Sequence, residues 1–280
     1  GARCYTACGA SPGRLRLEFL TLALMGALAG MMAGLLGIGG GALIVPVLVI
    51  VFEMQRMDAG IVMQAALGTS LATIVFTALS SVLAHQRRGA VNWAIFRRIT
   101  PGIVIGSLLG AGIADSLSSR TLQVMFVVFM FAVAAQFARG TMAAAARGRL
   151  PGGVGMSAAG MAIGAASALF GIGGGSLSVP FMTWCSVPVR QAIATSAAIG
   201  LPIALSSTAG YIVAGWGDSR LPPWSLGYVV LPAFVGIVIA STLAAPVGAR
   251  LAHRLPETTL RRIFALFVAI LGARMLWGLL

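Results

Sequence analysis

Two glycine runs carry the most specific chemistry in this sequence, because backbone amides can hold a ligand without any charged side chain. Segment 34–48 contains Gly37-Ile-Gly-Gly-Gly41, and segment 168–182 contains Gly171-Ile-Gly-Gly-Gly175. Nine of the fifteen positions match at an offset of 134 residues. Glycine has a low helix propensity and accepts positive φ, so each run is predicted to break a helix.

A new helix is expected to begin after each run, with its N-terminus facing the glycines. Released N–H groups and the positive end of a helix dipole together bind anions. In lipid, these N–H groups need a partner from protein, water or ligand. Pro46 and Pro180 lie five residues beyond the runs, and each frees one further carbonyl, that of Ala42 or Ser176. The runs therefore predict two helix breaks that can bind an anion.

Two threonine-serine pairs follow the runs, and they stand at equivalent positions at an offset of 126 residues. Near the start of a helix, their hydroxyls can cap that helix or donate to a ligand, and both roles stay open. The candidate binding residues are Gly37, Ile38, Gly39, Gly40, Gly41, Ala42, Thr69, Ser70, Gly171, Ile172, Gly173, Gly174, Gly175, Ser176, Thr195 and Ser196.

Several common kinds of site do not fit the sequence. Neither run has the spacing of a dinucleotide fingerprint, and no GK[ST] follows either run as in a P-loop. Hydrolysis needs a base, a nucleophile or a metal cluster, and only His85, His253 and scattered hydroxyls are present. Cys4, Cys8 and Cys185 form neither a disulfide framework nor a pair of zinc motifs. We therefore predict no enzyme, no metal and no cofactor.

The composition places these motifs in a membrane. The chain is 59% hydrophobic and only 9% charged, with a mean hydropathy of +0.98, whereas soluble domains have about 25% charged residues. Most of the eight apolar segments are near the roughly 17 to 25 residues that a spanning helix needs. The first and fifth segments are too long for one crossing, and each contains a glycine run. The predicted fold is an all-α integral membrane protein.

The similarity between the halves extends beyond the glycines. Residues 68–81 align with 194–207, and residues 102–107 align with 236–241. Each half is therefore a four-segment repeat that begins with a glycine-broken helix, re-entrant or hairpin in form. The predicted organisation is an N-terminal tail at 1–16, a first repeat at 17–138, a linker at 139–153 and a second repeat at 154–280.

The arginines predict that the two repeats are inverted. All nineteen basic residues are arginine, and they lie almost wholly between apolar segments, where the positive-inside bias places them rather than nucleic-acid binding. Between the second and third segments, the first half has four arginines and the second half only Arg220. At the next connection the first half has only Arg120 and the second half has four. Inverted repeats produce this exchange, with both termini outside.

The acidic residues are all expected at the ends of apolar segments: Glu18, Glu53, Asp58, Asp115, Asp218 and Glu257. Proton or sodium coupling usually relies on an intramembrane carboxylate. Coupling is therefore predicted to use hydroxyls and backbone carbonyls, or to be absent. An anion leaving a cell that is negative inside gains about 2.3 kcal/mol per charge per 100 mV, so export driven by the potential alone is a hypothesis.

Other glycines are expected to serve packing. Gly102, Gly106 and Gly110 form a ridge of small residues four apart, as do Gly26, Gly30 and Gly34. Such ridges let membrane helices approach closely.

The paired glycine runs, the [GA]-T-S helices and the glycine-rich third helices together resemble the TauE/SafE sulfite and sulfonate exporter family, over nearly the whole chain from Leu17. The resemblance implies a carrier in the bacterial inner membrane for small sulfur oxyanions or organosulfonates such as sulfite or sulfoacetate. It places the site at the glycine runs and the threonine-serine pairs. The expected mechanism is alternating access. An anion channel and an uptake permease for a small organic anion are the alternatives. The expected partners are the anion and membrane lipid, with a homodimer left open.

Overall fold

The computed structural model describes residues 41–87, 89–139, 148, 150–252 and 257–279. Within these residues the chain forms nine helices and two very short strands. The helices are α1 Gly41–Met54, α2 Val62–Gln86, α3 Trp93–Ser116, α4 Ser119–Arg139, α5 Gly153–Leu169, α6 Gly175–Trp184, α7 Val189–Ala214, α8 Leu231–Ala252 and α9 Glu257–Trp277, and the strands are β1 Ser225–Leu226 and β2 Val229–Val230.

Four of the described helices, α2, α3, α4 and α7, are long and apolar enough to cross a membrane. Large apolar side chains on these helices are exposed, among them Phe76 and Ile105, as expected for helix faces that contact lipid. The described chain is therefore a nearly all-helical, multi-pass membrane protein. The prediction of an all-α fold missed the small antiparallel hairpin of β1 and β2, in which Ser225 pairs with Val230.

Helices α2 and α7 form the centre of the described structure and run antiparallel. A Cβ added at Gly68 would lie 3.2 Å from the Cβ of Tyr211, and one added at Gly200 would lie 3.9 Å from the Cβ of Ala78. The early part of α2 thus meets the late part of α7, while the late part of α2 meets the middle of α7.

Helices α4 and α9 are a second antiparallel pair. The Nη2 atom of Arg120, at the start of α4, donates a 3.2 Å hydrogen bond to the carbonyl of Leu279, just beyond the end of α9. A Cβ added at Gly272 would lie 3.6 Å from the Cβ of Met130, in the middle of α4. The start of α4 therefore lies beside the end of α9.

Helices α3 and α5 instead run parallel and touch along a ridge of glycines. Cβ atoms added at Gly102 and Gly106 would overlap the backbone of Ser157 and Met161, and one at Gly110 would lie 2.6 Å from the carbonyl oxygen of Ala165. The predicted packing role of these three glycines is confirmed, because any side chain would push the two backbones apart. The other predicted ridge, at Gly26, Gly30 and Gly34, lies outside the described residues.

The loops with few arginines meet at one end of the bundle, which we call the arginine-poor end. It contains the α1–α2, α3–α4 and α7–α8 connections and the end of α9. A Cβ added at Gly60 would lie 3.1 Å from the Nη1 atom of Arg220. The hydroxyl of Tyr228 donates a 2.8 Å hydrogen bond to the Oδ1 atom of Asp115. These contacts join the α7–α8 connection to the other two loops.

The opposite end, the arginine-rich end, contains the α2–α3, α4–α5 and α6–α7 connections. The Oγ atom of Ser157, at the start of α5, donates to the carbonyl of Arg98, near the start of α3, at 3.1 Å. The Oγ atom of Ser186 in the α6–α7 loop donates to the carbonyl of Gly148 at 2.9 Å. These contacts join the α4–α5 region to the start of α3 and to the α6–α7 loop at this end.

Candidate functional site

Helix α5 ends at the second glycine run in a Schellman motif, a helix C-terminus closed by a left-handed residue. That residue is Gly171, at φ +58°. Its N–H donates to the carbonyl of Ala168 at 3.4 Å, and the N–H of Ile172 donates to the carbonyl of Ser167 at 3.1 Å. The predicted helix break is confirmed, and glycine is required at position 171 because other residues rarely adopt this backbone conformation.

Helix α6 begins at Gly175, so the N–H groups at the end of the run have no intrahelical acceptor. The first hydrogen bond of α6 joins the N–H of Ser178 to the carbonyl of Gly174 at 2.8 Å. Among the described residues, no acceptor faces the N–H groups of Gly173, Gly174 or Gly175. Gly173 and Gly174 are buried. These N–H groups form a concave set of donors at the positive end of a helix, the arrangement that binds anions.

Only the last glycine of the first run lies within the described residues, since Gly37, Ile38, Gly39 and Gly40 fall outside them. Gly41 lies in helix α1, and the predicted break before it falls outside the described residues. A Cβ added at Gly41 would lie 2.6 Å from the carbonyl oxygen of Gly171 and 2.9 Å from the Cα of Ile172. The structure thus brings the end of the first run into contact with the second.

Ser70 connects α2 to the second run. Its hydroxyl donates a 3.0 Å hydrogen bond to the carbonyl of Gly171, and its side chain is fully buried. The hydroxyl thus satisfies a carbonyl that the helix break leaves without an intrahelical donor.

The two predicted threonines make matching contacts between the halves. The N–H of Val230, directly before α8, donates to the Oγ1 atom of Thr69 at 3.0 Å. The N–H of Asn92, directly before α3, donates to the Oγ1 atom of Thr195 at 2.9 Å. Each threonine therefore accepts a hydrogen bond at the start of a helix that belongs to the other half of the sequence.

The interpretation of the threonine-serine pairs as helix caps is wrong. Helix α2 begins at Val62 and α7 at Val189, so both pairs lie inside their helices. The residues at the cap positions are Ile61 and Pro188, and neither makes a side-chain capping bond. The hydroxyls of Thr69, Ser70 and Thr195 instead form hydrogen bonds with backbone groups of other segments, which is a common role of polar groups in a membrane bundle.

Two further serines have buried hydroxyls with no hydrogen-bond partner in the described structure, Ser178 on α6, beside Gly174, and Ser196 on α7. Ser196 belongs to the predicted set, and Ser178 does not. The repeat does not point to Ser178, because the residue aligned with it in the first half is Ile44. Ser176 and the proline Pro180 lie in α6, and Ala42 and Pro46 lie in α1, as predicted.

Two tyrosines lie on the arginine-poor side of this region, and neither was predicted from the sequence as a site residue. The hydroxyl of Tyr211 donates a 3.1 Å hydrogen bond to the carbonyl of Ala168, at the end of α5. Tyr228, in the α7–α8 connection, lies against the ring of Tyr211 at 6.4 Å between centroids. Burial and the hydrogen bond to Asp115 raise the pKa of Tyr228, so its hydroxyl stays protonated and keeps donating at neutral pH.

Four described carboxylates are at helix ends or in loops, as predicted: Glu53, Asp58, Asp115 and Asp218. The predicted position of Glu257 is not tested, because the residues before it lie outside the described chain. Asp218 pairs with Arg220 at 2.6 Å in an exposed loop, and the hydrogen bonds from Arg220 hold the pKa of Asp218 below its usual value. The described residues contain no group of three or more His, Cys, Asp or Glu that could hold a metal ion. Glu18 lies outside them.

Comparisons with known proteins relate the chain to membrane transporters. The family model for the sulfite exporter TauE/SafE family matches residues 22–275. A probable membrane transporter protein of Haemophilus influenzae is 35% identical, over 90% of this chain and 96% of its own. One of Methanocaldococcus jannaschii is 27% identical over 94% and 98%, and YunE of Bacillus subtilis, also named a probable membrane transporter protein, is 25% identical over 93% and 98%. No solved structure matches the chain.

Proposed function

We propose that this chain, which belongs to the sulfite exporter TauE/SafE family of membrane transporters, carries small sulfur oxyanions or organosulfonates such as sulfite or sulfoacetate. The family and the relatives are transporters rather than enzymes. We further propose that the protein works by alternating access in the bacterial inner membrane, with the substrate held at the glycine runs.

The observation that carries the proposal is the set of N–H donors at the second run, where Gly173 and Gly174 are buried. The N–H groups of Gly173, Gly174 and Gly175 have no acceptor in the described structure, and Gly41 of the first run contacts the start of the second run at Gly171 and Ile172. A sulfonate or sulfite group is a small anion with three acceptor oxygens. Backbone dipoles can hold such an anion without the deep energy well of a buried arginine, and a carrier must also release its substrate.

The directions of the helices support inverted repeats. Helices α2 and α7 contain aligned sequences, and α4 and α9 are the last segments of the two halves. Both pairs run antiparallel. Two units related by an axis in the membrane plane have their equivalent helices in opposite directions. The separation of arginine-poor and arginine-rich loops at the two ends favours the same arrangement, with the arginine-rich end inside.

The position of the second run supports a hairpin that enters the membrane and returns. A Cβ added at Gly174 would lie 2.9 Å from the Cδ1 atom of Ile203, which is in the middle of the 26-residue helix α7. The turn between α5 and α6 therefore lies at mid-height of a spanning helix. We infer that the site is near the centre of the membrane, where it can open to each side in turn.

The driving force in this proposal is the membrane potential. An anion leaving a cell that is negative inside gains about 2.3 kcal/mol per charge per 100 mV. Four of the described carboxylates lie at helix ends and in loops, which disfavours a carboxylate-based proton or sodium site. Export is therefore the favoured direction, with uptake of a small organic anion as the second candidate.

The test is transport by purified protein in vesicles loaded with sulfite or sulfoacetate, under an imposed potential. We expect efflux that saturates with substrate, shows trans-stimulation and follows the potential. Flux that follows an imposed pH gradient at zero potential would exclude the potential as driving force, and unsaturable flux without trans-stimulation would identify a channel. In a parallel thermal-shift panel of sulfite, sulfate, sulfoacetate, taurine and oxalate, shifts that survive both Gly40→Val and Gly174→Val would move the site away from the runs.

A further inference from the structure

We propose that the anion binds off-centre, in a space that Gly200 leaves beside the second glycine run, with Ser178 as a hydrogen-bond donor. This inference rests on the proposed function, because it places the substrate of that function within the site. It adds two residues, Gly200 on α7 and Ser178 on α6, that the sequence motifs do not include.

Gly200 is buried but is not packed like the other buried glycines. Among the described residues, a Cβ added there would find its nearest neighbours at 3.8 Å, the backbone nitrogen of Gly174, and at 3.9 Å, the Cβ of Ala78. At Gly164, by contrast, an added Cβ would lie 2.5 Å from the carbonyl oxygen of Ile103. A close contact between two helices therefore explains why position 164 is glycine, but no such contact explains the glycine at position 200. A Cβ at position 200 would therefore overlap no described atom, and it would lie beside the N–H group of Gly174, which has no acceptor in the described structure.

The run itself borders this room. Gly173 is buried, and in the described structure the nearest atom to a Cβ added there is the Cγ2 atom of Ile74, at 3.4 Å. A Cβ added at Gly174 would lie 2.9 Å from Ile203 and 3.2 Å from Ile199. These isoleucines form an apolar wall that limits water, and hydrogen bonds from the run to an anion are stronger in such surroundings.

Ser178 supplies a side-chain donor beside Gly174, the residue that also borders Gly200. Its Oγ atom would lie 3.2 Å from a Cβ added at Gly174, one helical turn earlier. The side chain is fully buried, and its hydroxyl has no partner in the described structure. A buried hydroxyl without a partner is unfavourable, and a bound oxyanion would accept its hydrogen bond.

The first half of the chain has neither feature. The residue aligned with Gly200 is Ile74, and the residue aligned with Ser178 is Ile44. The Cδ1 atom of Ile74 would lie 2.8 Å from a Cβ added at Gly41, so a large side chain fills the space beside the first run. The room and the hydroxyl of the proposed site therefore both come from the second half.

The experiment measures binding of sulfite and sulfoacetate to purified protein by calorimetry, together with the melting temperature. Gly200→Ala is expected to weaken binding about tenfold or more without lowering the melting temperature, because its methyl group fills the space while alanine favours a helix. Ser178→Ala is expected to weaken binding about tenfold, the effect of one lost hydrogen bond to a charged group. The matched controls are Gly112→Ala, on an open face of α3, and Ser207→Ala, another buried hydroxyl of α7 without a partner in the described structure.

The outcomes separate this inference from the proposed function. If the wild type binds, Gly174→Val abolishes binding, and Gly200→Ala and Ser178→Ala bind like the controls, the off-centre site is wrong while the function stands. A lower melting temperature of Gly200→Ala would also overturn it, since the space would then be filled by protein. A wild type that binds neither anion would contradict both the function and the inference.

Discussion

Ser70 and Gly171 lie 101 residues apart in the sequence, and the hydroxyl of Ser70 donates a 3.0 Å hydrogen bond to the carbonyl of Gly171. Gly171 is the left-handed residue that ends α5. A serine from the first half therefore stabilises the helix break of the second half. This contact couples α2 to the glycine run, and any movement of the run must either carry Ser70 with it or break the bond.

Replacement of Ser70 by alanine should destabilise the protein. The carbonyl of Gly171 would lose its donor in a buried position, which costs about 1 to 3 kcal/mol. The free energy of unfolding in a detergent titration measures this loss. The control is Ser80→Ala, at an exposed position on the same helix, with an expected change within about 0.5 kcal/mol. Equal stability of the two variants would contradict a structural role for the bond.

The matching threonine contacts predict that two substitutions lower the stability of the protein by similar and independent amounts. Thr69→Val and Thr195→Val keep the side-chain shape but remove the acceptors of Val230 and Asn92. Each should lower the free energy of unfolding by about 1 to 3 kcal/mol, and the double variant should show the sum. The control is Thr77→Val, because the hydroxyl of Thr77 only donates to Ile74 of its own helix. A loss at Thr77 as large as at Thr69 would argue against this role.

The glycine ridge between α3 and α5 predicts a strong effect of one methyl group. In Gly106→Ala, the added Cβ would overlap the backbone of Met161, so the two helices must separate at a cost of about 3 kcal/mol or more. Gly112→Ala, six residues away on the same helix and open within 4 Å, should leave stability unchanged or raise it. Melting temperatures in detergent distinguish the two variants. A stable Gly106→Ala protein would mean that α3 and α5 do not touch there.

The inverted arrangement predicts the sides from which loops can be labelled. Single cysteines replace Arg87 and Arg120, both exposed, in a chain whose native cysteines are changed to alanine. An impermeant maleimide added to intact cells should react with Arg120→Cys, at the arginine-poor end. It should react with Arg87→Cys only after the membrane is opened. Labelling of both positions from the same side would refute inverted repeats.

The helix breaks could be predicted from the sequence because their causes are local. A run such as Gly171-Ile-Gly-Gly-Gly175 has a low helix propensity wherever it occurs, and the structure confirms that α5 ends before it and α6 begins at its last residue. The packing role of Gly102, Gly106 and Gly110 was predicted for the same reason, since a ridge of glycines four apart on a helix serves close contact in any bundle. The helix packed against this ridge, α5, could not be predicted.

The sequence alone determined the membrane environment, the helix break at the second glycine run, the position of four described carboxylates and the family of the chain, since composition, propensity and repeated motifs are properties of short segments. Only the tertiary structure decided the partners of the polar groups. From the sequence alone, Thr69 and Thr195 are interpreted as helix caps or ligand donors. In the fold, each accepts a hydrogen bond from the residue directly before a helix of the opposite half. Gly200 and Ser178 have no motif, and their place beside the second run arises from the packing of α6 against α7. Contacts of this kind depend on how distant segments cross, which neither local propensity nor internal repetition encodes.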